Sequence, residues 1–299
     1  MNILPSVGGL RTLFAVPQTS DSIRPMTRKR SSRHIGLARA LSKLGYCSRS
    51  QAAKLIRAGR VALNGGVRRD PETPVRPEKD RIVVDGCAID QQQKIYLMMN
   101  KPRGLVTTAS DEKSRETVYG VFAKAGESLP WVAPVGRLDK ASEGLLLLTN
   151  DSEWGSRIAA PETHLQKTYH VQIGTLADDS LIKAIVSGVT SEDGDVLRST
   201  QARLLRSGGK NCWLEIILDE GKNRQIRRML AAFGVEVLRL VRVAVGPLQL
   251  GQLAKGGYRA LTDEEKLTLD RAMANVGRPT LGVRPRPAES RTRHRGGAC

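Results

Sequence analysis

The candidate for a reactive side chain is Asp139, which lies in a polar loop that begins and ends near glycines. Arg137 and Lys140 flank it, and the apolar run 145–148 follows within a few residues. Nearby cations favour the charged form of a carboxylic acid, so the pattern predicts an ionised Asp139 able to act as a nucleophile or a base. Taken alone, an aspartate between two cations is more often a turn cap or a salt-bridge partner.

Other common catalytic patterns are missing from the sequence. It contains no glycine-rich phosphate loop, no GxGxxG after a strand, no GxSxG elbow and no HExxH pair. Its four cysteines lie far apart, which argues against a disulfide scaffold or a zinc site and fits a reducing, cytoplasmic location of the bacterial type. We therefore expect chemistry that uses neither a metal nor a nucleotide cofactor.

The charge balance predicts a polyanionic partner. The 299 residues include 48 Lys and Arg against 30 Asp and Glu, which gives a net charge of +18. Such a charge suits a nucleic acid or an acidic membrane surface, but no apolar run approaches the roughly 18–20 residues that a membrane-spanning helix needs. Residues 24–60 contain many basic residues and no acidic one, which favours RNA or DNA over an ordinary solvated face.

The elements that must position Asp139 fall into two predicted folded units, 34–90 and 95–270. Basic tails at 1–33 and 271–299 flank them, and their composition predicts disorder because they cannot bury enough apolar surface. For the N-terminal tail we consider a plain basic tail, a true start at Met26 and an organelle transit peptide as alternatives.

The first unit is predicted to hold two helices followed by a small β element. Leu37 and Leu41 repeat at helical spacing, and Gly45 lies where that helix would end. Ser48, followed three residues later by Gln51, is a capping-box pattern that opens a second helix. The predicted strands of this element are 61–63 and 82–84, and an Asn-Gly turn at 64–65 follows the first of them.

Strand-like and helix-like runs alternate in the second unit. This alternation predicts an α+β fold around a mixed, mainly antiparallel sheet. The predicted strands are 95–100, 145–149, 169–173 and 212–218, and the predicted helices are 181–187, 224–233 and 263–273.

The first unit resembles the α-L RNA-binding motif first recognised in the ribosomal small-subunit protein S-four. Residues 37–45, 48–50, 55–61 and 64–65 carry the resemblance. Such modules dock on structured RNA by shape and phosphate contacts. Since aromatic residues make up only 4% of the chain, stacking on single-stranded bases is a weaker alternative. The residues expected to contact RNA here are Arg39, Lys43, Ser48, Arg49, Lys54, Arg57 and Arg60.

Four ordered blocks in the second unit resemble the RNA pseudouridine synthases. They are 100–108 (NKPRGLVTT), 135–151 (VGRLDKASEGLLLLTND), 167–171 (KTYHV) and 220–242, which begins EGKNRQIRRM and ends LVR. With the basic module in front of them, the blocks are similar to the RsuA-type and RluB/RluE/RluF-type enzymes, which modify bacterial ribosomal RNA. The resemblance covers residues 36–262 and leaves both tails outside.

The resemblance implies a cofactor-free isomerase that flips a uridine into a pocket and converts it to its C5-glycoside. Asp139 is then expected to be the nucleophile, which in this family attacks either the ribose or the uracil ring. Tyr169 is expected to stack on the flipped uracil, and Arg227 to pair with Asp139 and keep it charged. Leu240 is expected to close the apolar side of the pocket, and Arg137 to contact the flipped nucleotide or its phosphate.

Four further basic residues belong to the same blocks. Lys101 and Arg103 are expected either to bind RNA phosphate or to cap a loop. Arg224 and Arg228 lie on the polar face of the helix predicted at 224–233, where they either bind RNA or face solvent.

The expected partner is ribosomal RNA or a ribosomal assembly intermediate. The protein is expected to be a monomer and not to bind a membrane. Large-subunit RNA is mildly favoured over small-subunit RNA because of the basic C-terminal tail. A non-catalytic RNA-binding or assembly factor is an alternative function, but it would not need the four-block pattern. An RNA methyltransferase is a further alternative, but the sequence has no glycine-rich cofactor loop.

Overall fold

The structure is a computed structural model that describes residues 34–108, 115–124 and 130–274. The tail predicted at 1–33 and most of the tail predicted at 271–299 lie outside these residues. The described chain forms an N-terminal module of two helices and short strands, followed by a larger unit built on one long sheet.

The N-terminal module packs two helices against short antiparallel strands. Its helices are α1 (Leu37–Lys43) and α2 (Arg49–Arg57), and its strands are β1 (Ile35–Gly36), β2 (Val61–Leu63), β3 (Gly66–Arg68), β4 (Pro74–Val75), β5 (Ile82–Val84) and β6 (Cys87–Ala88). Four of the strands form a sheet in the order β3-β2-β5-β6, and β1 pairs with β4. Leu41, Ile56 and Val84 belong to one buried core that joins helices and sheet.

Local sequence signals account for the ends of these elements. Ser48 caps α2 in the predicted capping box, in which its side chain accepts from the Gln51 amide and the Gln51 side chain accepts from the Ser48 amide. Gly45 follows α1 with a φ of 81°, a left-handed conformation that suits glycine after a helix. Asn64 and Gly65 both have positive φ and join β2 to β3 in the hairpin that Asn-Gly predicts.

The larger unit contains eleven strands and five α-helices among the described residues. Its strands are β7 (Tyr96–Lys101), β8 (Ala133–Val135), β9 (Glu143–Thr149), β10 (Lys167–Ile173), β11 (Val189–Thr190), β12 (Val196–Leu197), β13 (Gln201–Ser207), β14 (Cys212–Leu218), β15 (Val237–Val245), β16 (Leu248–Gln249) and β17 (Tyr258–Ala260). Its helices are α3 (Tyr119–Lys124), α4 (Ser152–Ala159), α5 (Asp179–Ser187), α6 (Gln225–Ala232) and α7 (Asp263–Ala274).

The long sheet has the order β13-β14-β10-β15-β9-β7-β17, with β8 added beside β9 and β16 beside β15. Its strand pairs are antiparallel except for β9 and β15, which run parallel. The predicted α+β fold with a mainly antiparallel sheet is therefore confirmed.

The parallel contact between β9 and β15 depends on a glycine. Gly144 has a φ of 102° and lies opposite Arg242 in the register of the two strands. A Cβ atom at position 144 would lie 2.2 Å from the Arg242 carbonyl oxygen, so another residue would push the strands apart. The glycine thus lets β15 approach the strand that follows the Asp139 loop.

The end of the larger unit differs from the predicted boundary at residue 270. Helix α7 continues to Ala274 because Leu269 and Met273 lie on the same face and are both buried in the core beside β9. Residues 271–274 therefore belong to the folded unit rather than to the predicted C-terminal tail.

Candidate active site

A cleft of about 540 Å³ lies where the loop before β9, strands β10 and β15 and the start of α6 meet. Asp139, Arg137, Tyr169 and Leu240 all line it, although they come from three separate sequence blocks. Arg227 is not among the residues that line the cleft. The fold thus gathers four of the five predicted site residues around one space large enough for a nucleotide.

The loop that carries Asp139 is bonded on both sides to the chain after β7. The Thr107 hydroxyl donates to the Leu138 carbonyl at 2.7 Å and accepts from the Leu138 amide at 3.3 Å. The Gly104 amide donates to the Lys140 carbonyl at 2.8 Å. Because both neighbours of Asp139 are held in this way, its carboxylate has little freedom to move away from the cleft.

Lys101 fixes the base of the same loop. Its side chain is 0% exposed, and its ammonium donates to the carbonyl oxygens of Pro102 (3.1 Å), Asp139 (3.1 Å) and Ser142 (2.9 Å). Burial lowers the pKa of Lys101 from 10.5 to about 8, and the nearby Asp139 opposes that shift. The expectation that Lys101 binds RNA phosphate is therefore wrong, because its donors are buried and already used, and the loop-capping alternative holds.

The closest ion pair of Asp139 is with Arg224. One Arg224 nitrogen lies 3.8 Å from the Asp139 carboxylate, and Arg224 reaches it from a left-handed residue, with a φ of 48°, just before α6. Arg227 instead donates to the carbonyl oxygens of Ala141 at 3.1 Å and Val237 at 3.2 Å. The expected direct pairing of Arg227 with Asp139 is thus replaced by one contact to the backbone of the loop, at Ala141, and one to the backbone of β15, at Val237.

The reason is the position of Arg227 on the half-buried side of α6, where backbone carbonyls are closer than the carboxylate. Burial lowers the pKa of Arg227, as does the neighbouring Arg224, while the charge of Asp139 opposes the shift. Arg227 therefore contributes positive charge near Asp139 and fixes the loop through Ala141.

Tyr169 and Leu240 lie on the two adjacent central strands. Tyr169 is half-buried on β10, and Leu240 is 7% exposed on β15. The register places Tyr169 opposite Arg242 and Val171 opposite Leu240, so Tyr169 and Leu240 are on the same side of the sheet. Together they give the cleft an aromatic and an aliphatic wall.

The cations of the cleft include residues that the sequence analysis does not single out, among them Lys167 and Arg242. The Arg242 Nε donates to the Leu145 carbonyl at 2.7 Å. Burial lowers the pKa of Lys167, and the charge of Arg242 lowers it further. Both residues lie in the KTYHV and LVR blocks, so their place in those blocks was the available signal.

The basic face of the N-terminal module is only partly free. Arg39, Arg49, Lys54 and Arg57 are exposed and form no ion pair within the described residues. Arg60 makes two bonds to Asp85, at 2.6 and 2.7 Å. The predicted set of RNA contacts is therefore best represented by the four unpaired residues.

The other two predicted residues on this face have structural partners. Lys43 pairs with Glu153 of α4, and the backbone amides of Ser48 and Gln51 are both used in the capping box. These two amides are therefore not available to a phosphate, while the contact expected between Ser48 and RNA stays a prediction.

Arg103 and Arg228, for which RNA binding is one of the two expectations, differ in their surroundings. Arg103 is exposed, and its charge contributes to lowering the pKa of Arg227, so its expected phosphate contact stays a prediction. Arg228 pairs with Asp193 at 2.9 Å and Asp195 at 2.8 Å. The RNA-binding interpretation of Arg228 is thus corrected, since these carboxylates already engage its guanidinium and tie α6 to the hairpin of β11 and β12.

Residues 34–108, 115–124 and 130–274 contain neither a candidate metal site nor a candidate membrane-spanning helix. No three His, Cys, Asp or Glu side chains in these ranges come together as ligands for a metal ion. No helix there combines the length and the apolar character needed to cross a membrane.

Known protein families match both the N-terminal module and the larger unit. The family described as RNA pseudouridylate synthase matches residues 95–232, and the S-four domain matches residues 35–82. A crystal structure of a pseudouridylate synthase has 29% identity and a TM-score of 0.54, and the match covers 79% of this chain and 99% of that one.

The similar sequences extend over both units. A protein of Aquifex aeolicus named as an RNA pseudouridine synthase is 39% identical over 234 residues, which is 78% of this chain and 92% of that protein. The ribosomal large subunit pseudouridine synthase B of Bacillus subtilis is 33% identical over 244 residues, covering 81% of this chain and 98% of that protein. With these matches across both units, the chain belongs to the RNA pseudouridine synthase family.

Proposed function

We propose that this enzyme converts a specific uridine of ribosomal RNA to pseudouridine without a cofactor, with Asp139 as the nucleophile. The observation that supports this most is the cleft, which places the Asp139 carboxylate with the half-buried ring of Tyr169 and the side chain of Leu240. A planar base fits between an aromatic and an aliphatic wall, and a carboxylate held by a fixed loop is positioned for attack.

The reaction breaks the N1–C1′ bond of the uridine, turns the uracil and joins its C5 to C1′. The hydrogen on C5 is lost to solvent as a proton when the new bond is completed, and N1, which has lost its bond to C1′, takes up a proton. Asp139 supplies the attacking electron pair, whether the attack is on the ribose or on the uracil ring. Tyr169 holds the flipped base by stacking, and Arg137 at the exposed rim contacts the nucleotide or its phosphate.

Ribosomal RNA of the large subunit is the proposed substrate. The Bacillus subtilis relative is named as a ribosomal large subunit enzyme, and the similarity covers 98% of its length. The four unpaired cations of the N-terminal module are suited to the phosphates of a folded RNA.

This substrate can be identified directly. Wild-type enzyme would be incubated with full-length large-subunit and small-subunit ribosomal transcripts, and the digested nucleosides separated by liquid chromatography. We expect pseudouridine from the large-subunit transcript and none from the other. Pseudouridine from the small-subunit transcript alone would reverse the subunit assignment, and its absence from both would contradict the proposal of free ribosomal RNA as substrate.

The unpaired cations predict a change in the salt dependence of RNA binding. Arg49→Ala and Arg57→Ala should each reduce the slope of log K against log salt by about one unit, since each removes one phosphate contact. Arg60→Ala is the matched control, because Arg60 is already paired with Asp85, and it should change the slope less. Equal slopes for all three variants and the wild type would show that this face does not contact phosphate.

The ion pair with Asp139 predicts a kinetic effect at Arg224. Arg224→Ala should lower kcat/KM about tenfold, or about 1.4 kcal/mol of transition-state stabilisation, because Asp139 loses its nearest counter-charge. The unfolding midpoint should not move, since a pair this exposed stabilises the fold little. Steady-state kinetics and thermal unfolding would test both points, and a wild-type kcat/KM would contradict the role of Arg224.

A further inference from the structure

We infer that the connection between the N-terminal module and the catalytic unit is a clamp that holds the module in one orientation, with Asn150 as its central positioning residue. The second half of this inference rests on the proposed function: the clamp would set the distance between the RNA-binding face and Asp139. The uridine that is modified would then be chosen by its spacing from the structure that the module binds.

Asn150 holds the connecting segment from the side of the catalytic unit. It follows β9 directly, and its side chain is 0% exposed. Its Oδ1 accepts from the Ile95 amide at 2.8 Å, and its Nδ2 donates to the Gln93 carbonyl at 2.8 Å. The polar stretch 90–94 between the two units is therefore bonded through a buried amide to the end of a central strand.

The same segment is bonded to the end of α1 from the side of the module. The Gln92 amide donates to the Leu44 carbonyl at 3.0 Å, and the Lys94 ammonium donates to the Lys43 carbonyl at 3.2 Å. Module, connector and catalytic unit thus meet within a few residues, and α1 and α4 are in contact there.

Gly45 brings the module close to Asn150 itself. A Cβ atom at position 45 would lie 3.1 Å from the Asn150 Nδ2 and 3.3 Å from the Gln92 Cβ. The Lys43–Glu153 ion pair bridges the same contact on its exposed side. The glycine that ends α1 therefore also permits the close approach of the two units.

The buried amide of Asn150 stabilises this arrangement of the two units. Domains joined by a short polar contact usually move relative to each other. Here, separating the two units would break both hydrogen bonds of the buried Asn150 amide, to Ile95 and Gln93. A buried polar group without a partner costs more free energy than an exposed one. The closed arrangement is thus favoured by specific bonds rather than by apolar area.

A fixed orientation changes how RNA is selected. When the module has bound its part of the RNA, the clamp presents the cleft at one distance and angle, so the correct uridine meets Asp139 at high effective concentration. Uridines at other spacings are not reached. Loosening the clamp should lower kcat/KM on the responding transcript about tenfold, which corresponds to about 1.4 kcal/mol, and should do so mainly through KM.

The clamp can be tested without any assay of activity. Spin labels would be placed by Val67→Cys in the module and Leu267→Cys in α7, both at exposed positions, in the full chain with Cys87→Ser and Cys299→Ser. Electron–electron double resonance then measures the distance distribution between the labels. We expect one narrow distribution for the wild-type connection, and a clearly broader one after Asn150→Ala or after Gln92→Pro, which removes the amide that bonds to Leu44.

Asp178→Ala serves as the stability-matched control. Asp178 caps α5, and losing a cap destabilises the fold without touching the connection, so its distribution should stay narrow. If Asn150→Ala fails to fold, Gln92→Pro decides, because it alters only the exposed connector. A broad distribution in the wild type, or narrow ones in both connection variants, would overturn the clamp.

Kinetics on the ribosomal transcripts then test the link to substrate choice. Asn150→Ala and Gln92→Pro should raise KM on the responding transcript and leave the rate at saturating RNA nearly unchanged, whereas Asp178→Ala should change neither. An unchanged KM in the connection variants would overturn the link to substrate choice. If the wild type forms no pseudouridine at all, the proposed function fails, while the distance distributions still decide whether the clamp exists.

Discussion

Asp139→Asn is expected to remove pseudouridine formation, with a loss in kcat on the order of 10⁴-fold, because it replaces the proposed nucleophile by a neutral side chain of the same shape. The carboxylamide cannot supply the attacking electron pair. Folding is expected to be unaffected, because the Asp139 side chain is 34% exposed and exposed substitutions usually change the free energy of unfolding little. Affinity for RNA should also stay close to wild type, since the phosphate contacts lie elsewhere.

Glu220→Gln is the matched control for this prediction. Glu220 also lines the cleft, but it pairs with Lys222 and accepts from the Gln225 side chain. Removing its charge should cost far less activity than Asp139→Asn. Comparable losses in the two variants would mean that the cleft needs negative charge in general rather than a nucleophile at position 139.

Lys101→Met is expected to destabilise the protein by about 3 kcal/mol, because it leaves three carbonyl oxygens at the base of the loop without their donor. One of the three belongs to Asp139 itself. Activity should fall with stability, since the loop would no longer hold the carboxylate in place. Denaturant unfolding measures the first effect and turnover below the unfolding transition measures the second.

Lys140→Met is the control, as it removes an exposed lysine from the same loop. It should change the free energy of unfolding by less than about 0.5 kcal/mol, the usual range for surface substitutions. If Lys101→Met were as stable and active as Lys140→Met, the three bonds of Lys101 would have no structural importance.

The lowered pKa of Lys101 also predicts a pH effect. Below about 8, Lys101 is protonated in both the folded and the unfolded chain, and the burial penalty is fully present. Between about 8 and 10.5 the unfolded chain keeps a proton that the folded chain has released. The free energy of unfolding should therefore rise with pH in this window, by about 1.4 kcal/mol per unit from this group. Lys101→Met should lack that rise, and parallel pH profiles for the two proteins would contradict the assignment.

Much of the fold follows from local sequence signals. The capping box at Ser48, the Asn-Gly turn at 64–65 and the strand Cys212–Leu218 are all found where the sequence predicts them. These features depend on residues close together in the chain. Periodicity does not predict strands β13 and β15, since Gln201–Ser207 is mostly exposed and Val237–Val245 carries arginines in a central position.

The arginines of β15 show why periodicity failed there. Arg239 pairs with Glu143, and Arg242 donates to the Leu145 carbonyl. Both partners lie on β9, about a hundred residues earlier in the chain, so no local window contains the contact that allows charge in a central strand.

The site was predictable as a set of residues and not as a set of contacts. Asp139, Tyr169 and Leu240 share the cleft because the sheet aligns their strands. Arg224 and Arg227 are three positions apart on one helix end, and only the three-dimensional path of α6 determines which of them reaches the carboxylate. The burial of Lys101 likewise depends on how the loop 139–142 folds back over β7.

The most direct test of the central claim is tritium release from large-subunit ribosomal RNA labelled at C5 of its uridines. Completing the new bond to C5 must expel that hydrogen, so release reports the chemistry itself. We expect release with the wild-type enzyme and none above background with Asp139→Asn, although both proteins bind the RNA. Release at the wild-type rate from Asp139→Asn would show that Asp139 is not the nucleophile.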